Sequence, residues 1–186
     1  MARCYSDAMR SDQPLPHIWL ISDARNDAVL ERALHDLPRG SGFVFRHYHL
    51  DGAARRERFG VLQALCRKFG HLCVLSADAD TAAAWGADGI YGPPLKLAKR
   101  PGLLRFATVH DVEEVTISNQ IGVDAMFLSP VYPTRSHSGG GGLGKQNFLA
   151  LAARAERPVI ALGGMTAARA AELGWPRWAA IDAFLR

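Results

Sequence analysis

Apolar residues in this chain fall into short unbroken runs, separated by longer stretches in which they recur every three or four positions. The runs predict strands buried on both faces, and the stretches between them predict amphipathic helices. The first run, residues 17–22, ends at Ser22 and Asp23. Asn26 is placed to cap a helix that reaches Leu37 through the stripe Ala28, Leu30, Ala33, Leu34 and Leu37. Residues 43–49 read as the second strand. A helix over 53–69 follows, with Phe59, Leu62, Leu65 and Cys66 on one face and Gly70 as its stop. The third strand is 72–75, Asp78 or Asp80 caps an alanine-rich helix ending at Gly86, and 88–91 is the fourth strand. Residues 93–102 hold one or two helical turns at most. Strands at 103–109 and 125–128 flank a helix at 110–120. A long loop, 129–145, carries the glycine run 139–142, after which come a helix (147–155), a strand (159–162), a helix (166–173) and an eighth strand (178–181).

Alternation of strand and helix forces a parallel sheet covered by helices. The run from Gly86 to Pro93 is echoed by the run from Gly122 to Pro130, each a helix stop, an Asp, a strand and a proline loop, and a degraded copy starts at Gly174. Repeated βα units predict an α/β fold, a TIM-type (βα)8 barrel, with an open doubly wound sheet as the alternative. The barrel is short, 186 residues against about 250 in typical members. With the eighth strand so near Arg186, it is expected to lack the final helix. That helix's place would be covered by an N-terminal arm (residues 1–16), by a partner subunit in a homodimer, or by nothing at a cost in stability. The arm carries Arg3, Asp7, Arg10 and Asp12 and does not read as a secretory signal. The barrel itself occupies residues 17–186.

Composition narrows the function. No apolar run approaches the roughly 20 residues of a membrane span, so no membrane role is expected. Three cysteines, Cys4, Cys66 and Cys73, lack any zinc-type spacing. They indicate a reduced, cytoplasmic protein without structural metal. The net charge of +4 is dispersed, and its densest part (Arg55, Arg56, Arg58, Arg67, Lys68) lies on a helix face opposite the apolar one. No nucleic-acid partner is expected.

In a barrel of this kind chemistry collects at the C-terminal ends of the strands. There, an apolar strand runs into Gly163, Gly164 and Met165 before Thr166 opens a helix. Glycine admits close backbone approach and a helix start offers unpaired N–H groups, so these are phosphate-binding candidates; the alternative is a tight turn with Thr166 as cap. His110, where the fifth strand meets its helix and two residues after Thr108, is either a general base or a capping residue. The loop bearing Thr134, Arg135, Ser136 and His137 is either a substrate-binding segment or a surface excursion. Arg46 either holds an anion or pairs with Asp23. Asp23, Asp78, Asp80 and Asp182 suit Mg²⁺ by residue type, although Asp78 and Asp80 also suit helix caps.

The order and spacing of these motifs resemble the thiamine phosphate synthase/TenI family from about Leu20 to Leu173. The matches are Trp85-Gly86-Ala87-Asp88-Gly89-Ile90, Val109-His110 with Glu113-Glu114, Gly122-Val123-Asp124 through Pro133-Thr134, and Val159 to Thr166. The resemblance implies that Gly163, Gly164 and Met165 receive the phosphate of a thiazole phosphate or thiamine phosphate. It also implies that Arg46, Thr108, Thr134, Ser136 and His137 contact substrate and that His110 is catalytic. Synthases of the family join a pyrimidine pyrophosphate to the thiazole with Mg²⁺ help, whereas TenI-type members move a proton to aromatise the thiazole. This chain has Ala77 at the place of a metal-binding Asp, and Pro94-Leu95-Lys96 where synthases carry Gln and an acidic residue. Tyr48 and His137 stand where basic residues are expected, and the eighth strand departs from the small-residue pattern. The resemblance therefore points to a TenI-like thiazole tautomerase without a cofactor. A synthase, for which alone Mg²⁺ would be needed, and a non-catalytic phosphate-ligand-binding scaffold are the alternatives.

Overall fold

A computed structural model describes residues 15–134 and 141–184 of the chain. Eight parallel strands close into a barrel in sequence order. They are β1 (Ile18–Ile21), β2 (Gly42–Phe45), β3 (Leu72–Leu75), β4 (Gly89–Gly92), β5 (Leu104–Val109), β6 (Ala125–Leu128), β7 (Val159–Ala161) and β8 (Trp178–Ala180). The ring is sealed by β8 against β1, with Ile18 opposite Trp178 and Leu20 opposite Ala180. Closure rules out the open-sheet alternative.

The helices are α1 (Leu30–Asp36), α2 (Gly52–Phe69), α3 (Ala79–Trp85), α4 (Val112–Ile121), α5 (Gly144–Ala152) and α6 (Ala167–Leu173). After β4 there is only the 3₁₀ turn Pro94–Lys96, in keeping with the short irregular segment expected there. A second 3₁₀ segment, Ala24–Val29, leads into α1.

Several boundaries move, each for a local reason. Asn26 is not the first cap. Asp23 takes that place, accepting from the Arg25 amide, while the Asn26 side chain accepts from the Asp23 amide at 2.8 Å. The Asn26 Nδ2 then donates to the carbonyls of Ile21 and Ile181, each at 3.0 Å, and ties the ends of β1 and β8 together. α3 is capped by Asp78 rather than Asp80, and α4 by Asp111, so His110 stands ahead of its helix instead of opening it. α5 begins at Gly144, not Asn147. β2 stops at Phe45 because His47 adopts a φ of +38°, which breaks the extended run expected to reach His49.

Side chains alternate between two cores. Inside the ring, Trp19, Ile21, Val44, Val74, Tyr91, Phe106, Ala125, Phe127, Ile160 and Ala179 form one cluster. Trp19 sets its indole edge-on to Phe106 and Phe127, at 5.0 and 5.2 Å between ring centroids. Gly42 leaves the space this needs, since any Cβ there would collide with the Trp19 ring. Leu15 packs against this cluster and the Pro16 carbonyl accepts from the Trp19 indole N–H at 3.0 Å. The last two residues of the expected arm thus belong to the packed barrel, and residues 1–14 lie outside the description. The outward-facing partners, among them Phe43, Phe45, Met126 and Leu128, pack under the helices, where Cys66 and Cys73 are buried as small apolar groups.

Candidate anion site at the C-terminal mouth of the barrel

β7 runs out at Ala161, and the chain turns through Leu162, Gly163 and Gly164 before Thr166 caps α6 by accepting from the Arg169 amide. Both glycines have positive φ, +95° and +61°. A Cβ on Gly163 would lie 2.6 Å from the Pro130 Cα, and one on Gly164 would lie 2.8 Å from the Pro133 carbonyl oxygen. Glycine is therefore required twice over, by conformation and by space. The neighbouring loop is pinned by the Val131 amide donating to the Leu162 carbonyl (2.8 Å) and the Tyr132 amide to the Gly163 carbonyl (3.1 Å).

These segments wall a cleft of about 290 Å³ whose lining includes Arg46, Thr134, Gly163, Gly164, Met165 and Arg169. Arg169 stands over the Tyr132 ring at 4.8 Å and donates to the Gly164 carbonyl. Arg46 reaches across from the end of β2. Its Nη2 donates to Asp23 at 3.2 Å, yet its Nε is buried with no hydrogen-bond partner among the described residues. The Arg46 guanidinium, paired to Asp23 on one side, still lends positive charge to the cleft wall, which suits an anionic ligand. Asp182 also lines the cleft and lies 3.6 Å from Arg25. Around the mouth, the guanidinium groups of Arg25, Arg46 and Arg169 outnumber the carboxylates of Asp23 and Asp182.

The rim at β1 and β2 is a polar network. Arg25 hydrogen bonds and its charge, with that of Arg46, outweigh burial and hold the Asp23 carboxyl below its ordinary range. His47 is buried, with Nδ1 2.8 Å from the Ser22 hydroxyl and Nε2 2.7 Å from Asp27. Burial lowers its pKa against the pull of Asp27. Tyr91, inside the ring below Arg46, has its hydroxyl pushed up to about 12 by burial and so stays neutral.

The structure gathers Arg46, Thr134, Gly163, Gly164 and Met165 of the expected site residues into one cleft, and Arg46 pairs with Asp23 while facing it. Thr108 lies on β5, half-buried, and is not part of the cleft wall. His110 is also off that wall, at the end of β5, with Nδ1 2.8 Å from Glu114. Ser136 and His137 lie outside the described residues. Arg169 and the role of Asp182 were not anticipated. Arg169 was detectable in principle, since it sits one helical turn from the Gly163-Gly164 turn, whereas Asp182 depends on β8 closing against β1.

The fit for Mg²⁺ is poor. Asp78 accepts from Thr81 as a helix cap and Asp80 pairs with Arg100. Asp23 and Asp182 are both engaged by arginine. No uncommitted pair of carboxylates faces the cleft among the described residues, and this cation needs one or two carboxylates beside the substrate phosphates.

A closed parallel barrel with a double-glycine cleft at its C-terminal mouth defines a TIM-type α/β barrel protein. Within that class, the chain belongs to the thiamine monophosphate synthase (TMP-TENI) family, whose sequence model matches residues 18–182. It is 26% identical over 165 residues to the thiamine-phosphate synthase of Pyrococcus furiosus, covering 84% of this chain and 79% of that one. It is also 26% identical over 184 residues to the thiamine-phosphate synthase of Geobacillus thermodenitrificans, covering 90% and 80%. The solved thiamine phosphate pyrophosphorylase from Pyrococcus furiosus superposes with a TM-score of 0.74 at 22% identity, over 89% of this chain and 85% of that one. FabK from Thermotoga maritima shares the barrel too, at a TM-score of 0.71 and 15% identity, over 91% and 59%. The fold alone therefore does not choose the chemistry. No helix of the described residues is long and apolar enough to cross a membrane.

Proposed function

We propose that this protein binds a phosphorylated thiazole through its phosphate and shifts a proton on the bound ring, a tautomerase activity of the TenI type. The observation that carries the reading is the contrast at the mouth: the cleft is lined by both glycines and the guanidinium groups of Arg46 and Arg169, while among the described residues the one carboxylate lining it, Asp182, is engaged by Arg25. A pyrophosphate leaving group without metal support loses much of its charge stabilisation. A proton shift needs no leaving group.

In this reading the phosphate sits on the Gly163-Gly164 amides and between Arg46 and Arg169, and the ring extends across the mouth toward β5. Glu114 accepts from His110 Nδ1–H, which fixes the tautomer with its basic lone pair on Nε2. His110 accepts a proton from the ring and returns it at another ring position, so no net proton is consumed. The test is isothermal titration of the thiazole carboxylate phosphate with and without Mg²⁺, followed by NMR of ring-proton exchange into D₂O. Metal-independent binding is expected, with exchange in the wild type and none in His110→Asn. Exchange that survives in the variant refutes the assignment.

A second reading, ligand binding without turnover, rests on the position of His110, which is off the cleft wall and hydrogen-bonded to Glu114. It predicts the same titration and no exchange in the wild type. The synthase reading predicts Mg²⁺-dependent product from both substrates, and Asp78 and Asp80, the carboxylates that follow β3, are committed to Thr81 and Arg100.

A further inference from the structure

Beside the anion cleft, on the rim formed by the ends of β1 and β2, three metal-ligating side chains converge. Asp27 comes from the 3₁₀ segment after β1, and His47 and His49 come from the loop after β2. One ligand atom from each lies within 4.8 Å of the other two. We propose that Asp27, His47 and His49 form a site for a divalent transition-metal ion of the zinc class.

The donor set decides the class. Two imidazoles and one carboxylate match the borderline ions Zn²⁺, Co²⁺ and Ni²⁺, not Mg²⁺, which wants oxygen throughout. Three protein ligands leave a fourth position for water on the side of His49, which is exposed, whereas His47 is buried.

The surroundings supply the outer contacts that such ligands need. His47 Nδ1 faces the Ser22 hydroxyl at 2.8 Å. That hydroxyl serves either tautomer, donating to Nδ1 when Nε2 carries the proton toward Asp27, and accepting from Nδ1–H when Nε2 binds metal. The Ser22 Oγ also accepts from the Arg46 amide at 2.8 Å, so the site is braced against the residue that reaches into the cleft.

Among the described residues Arg58 is the competing cation, since its Nε donates to the same Asp27 oxygen at 2.7 Å. It has other anchors, the Asp27 backbone carbonyl at 2.8 Å and the Glu31 carboxylate. Asp27 can therefore turn an oxygen to a cation without stranding the guanidinium. The carboxylates of Asp27 and Glu31 outnumber the single charge of Arg58, which leaves the cluster with a net negative charge to receive an ion. The backbone of His47 is consistent with a constrained ligand, because a non-glycine residue at φ +38° is held there only by surrounding structure.

The test titrates tag-free protein with CoCl₂ and then ZnCl₂. Expected is one Co²⁺ per chain with visible bands of nitrogen and oxygen coordination, displaced by one equivalent of Zn²⁺. In His49→Ala, an exposed position whose loss leaves the fold intact by circular dichroism, affinity should fall about a hundredfold. His35→Ala, remote from the cluster, should titrate like the wild type. The proposal is overturned if the wild type develops no visible band, if His49→Ala binds as tightly as the wild type, or if a thiolate-to-cobalt band appears, which would place the ion on a cysteine instead.

Discussion

The turn after β7 and the turn after β3 both join a strand to a capped helix of seven residues, yet they are built to different ends. After β3 the chain passes through Ser76, Ala77 and Asp78 in ordinary conformations, and the Asp78 carboxylate is spent on the Thr81 amide and hydroxyl, at 2.8 and 2.7 Å. After β7 two glycines with positive φ press against Pro130 and Pro133 with no room for a Cβ, and an arginine from the following helix closes over them. The first arrangement stabilises a helix and is finished. The second sets a glycine turn, which admits close backbone approach, between the guanidinium groups of Arg46 and Arg169. The proposed one-substrate reading rests on this difference, which gives one side of the mouth a cleft lined by glycines and arginines and the other an ordinary helix cap.

The strongest way to break the contrast is to fill the β7 turn. Gly163→Ala puts a methyl group into the Pro130 backbone at positive φ and should cost about 2 kcal/mol or more of stability. It should also remove detectable binding of the phosphorylated thiazole; a stable variant that still binds would show that the turn is only a turn. Next in size, Arg46→Met should weaken that ligand by roughly tenfold to a hundredfold, the worth of a charged hydrogen bond. Unchanged affinity in the titration would dissociate the Arg46 guanidinium from ligand binding.

Asp78→Ala sharpens the comparison from the other side. Losing a cap should cost about 1 kcal/mol in denaturant unfolding and leave ligand affinity unchanged; a loss of Mg²⁺-dependent activity instead would revive the synthase reading.

The smallest effect concerns acid. Burial lowers the pKa of both His47 and His71 below the ordinary 6.5. The folded state thus prefers them neutral, and their contribution is complete above that value and is lost as pH falls below it. The lowered carboxyls of Asp23 and Asp27 add a further loss in stronger acid. Urea midpoints should therefore decline from pH 8 to pH 5.5, and a midpoint that rises toward acid would contradict both assignments.

Much of the fold was legible because its signals are local. Eight short apolar runs, glycine stops at Gly70, Gly86, Gly122 and Gly174, and caps at Asp78 and Thr166 each depend on a few neighbouring residues. Where local reading slipped, a long-range contact had intervened. Asn26 has the chemistry of a cap, but its amide is drawn to the Ile181 carbonyl at the far end of the chain. His47 looks like the continuation of a strand, but Ser22 and Asp27 hold it out of one.

The amino-acid sequence by itself determined the alternation of strand and helix and the glycine pair after β7, because residue type and spacing are enough to state each, and the family resemblance added where a synthase's metal carboxylates would be expected. Only the tertiary structure decided which polar groups meet. Closing β8 onto β1 brings Asp182 beside Arg25, Arg46 from β2 reaches a cleft made by β6, β7 and β8, and His110 is left on the rim. Contacts between residues far apart in the chain are fixed by strand order and barrel closure, and no local pattern carries that information.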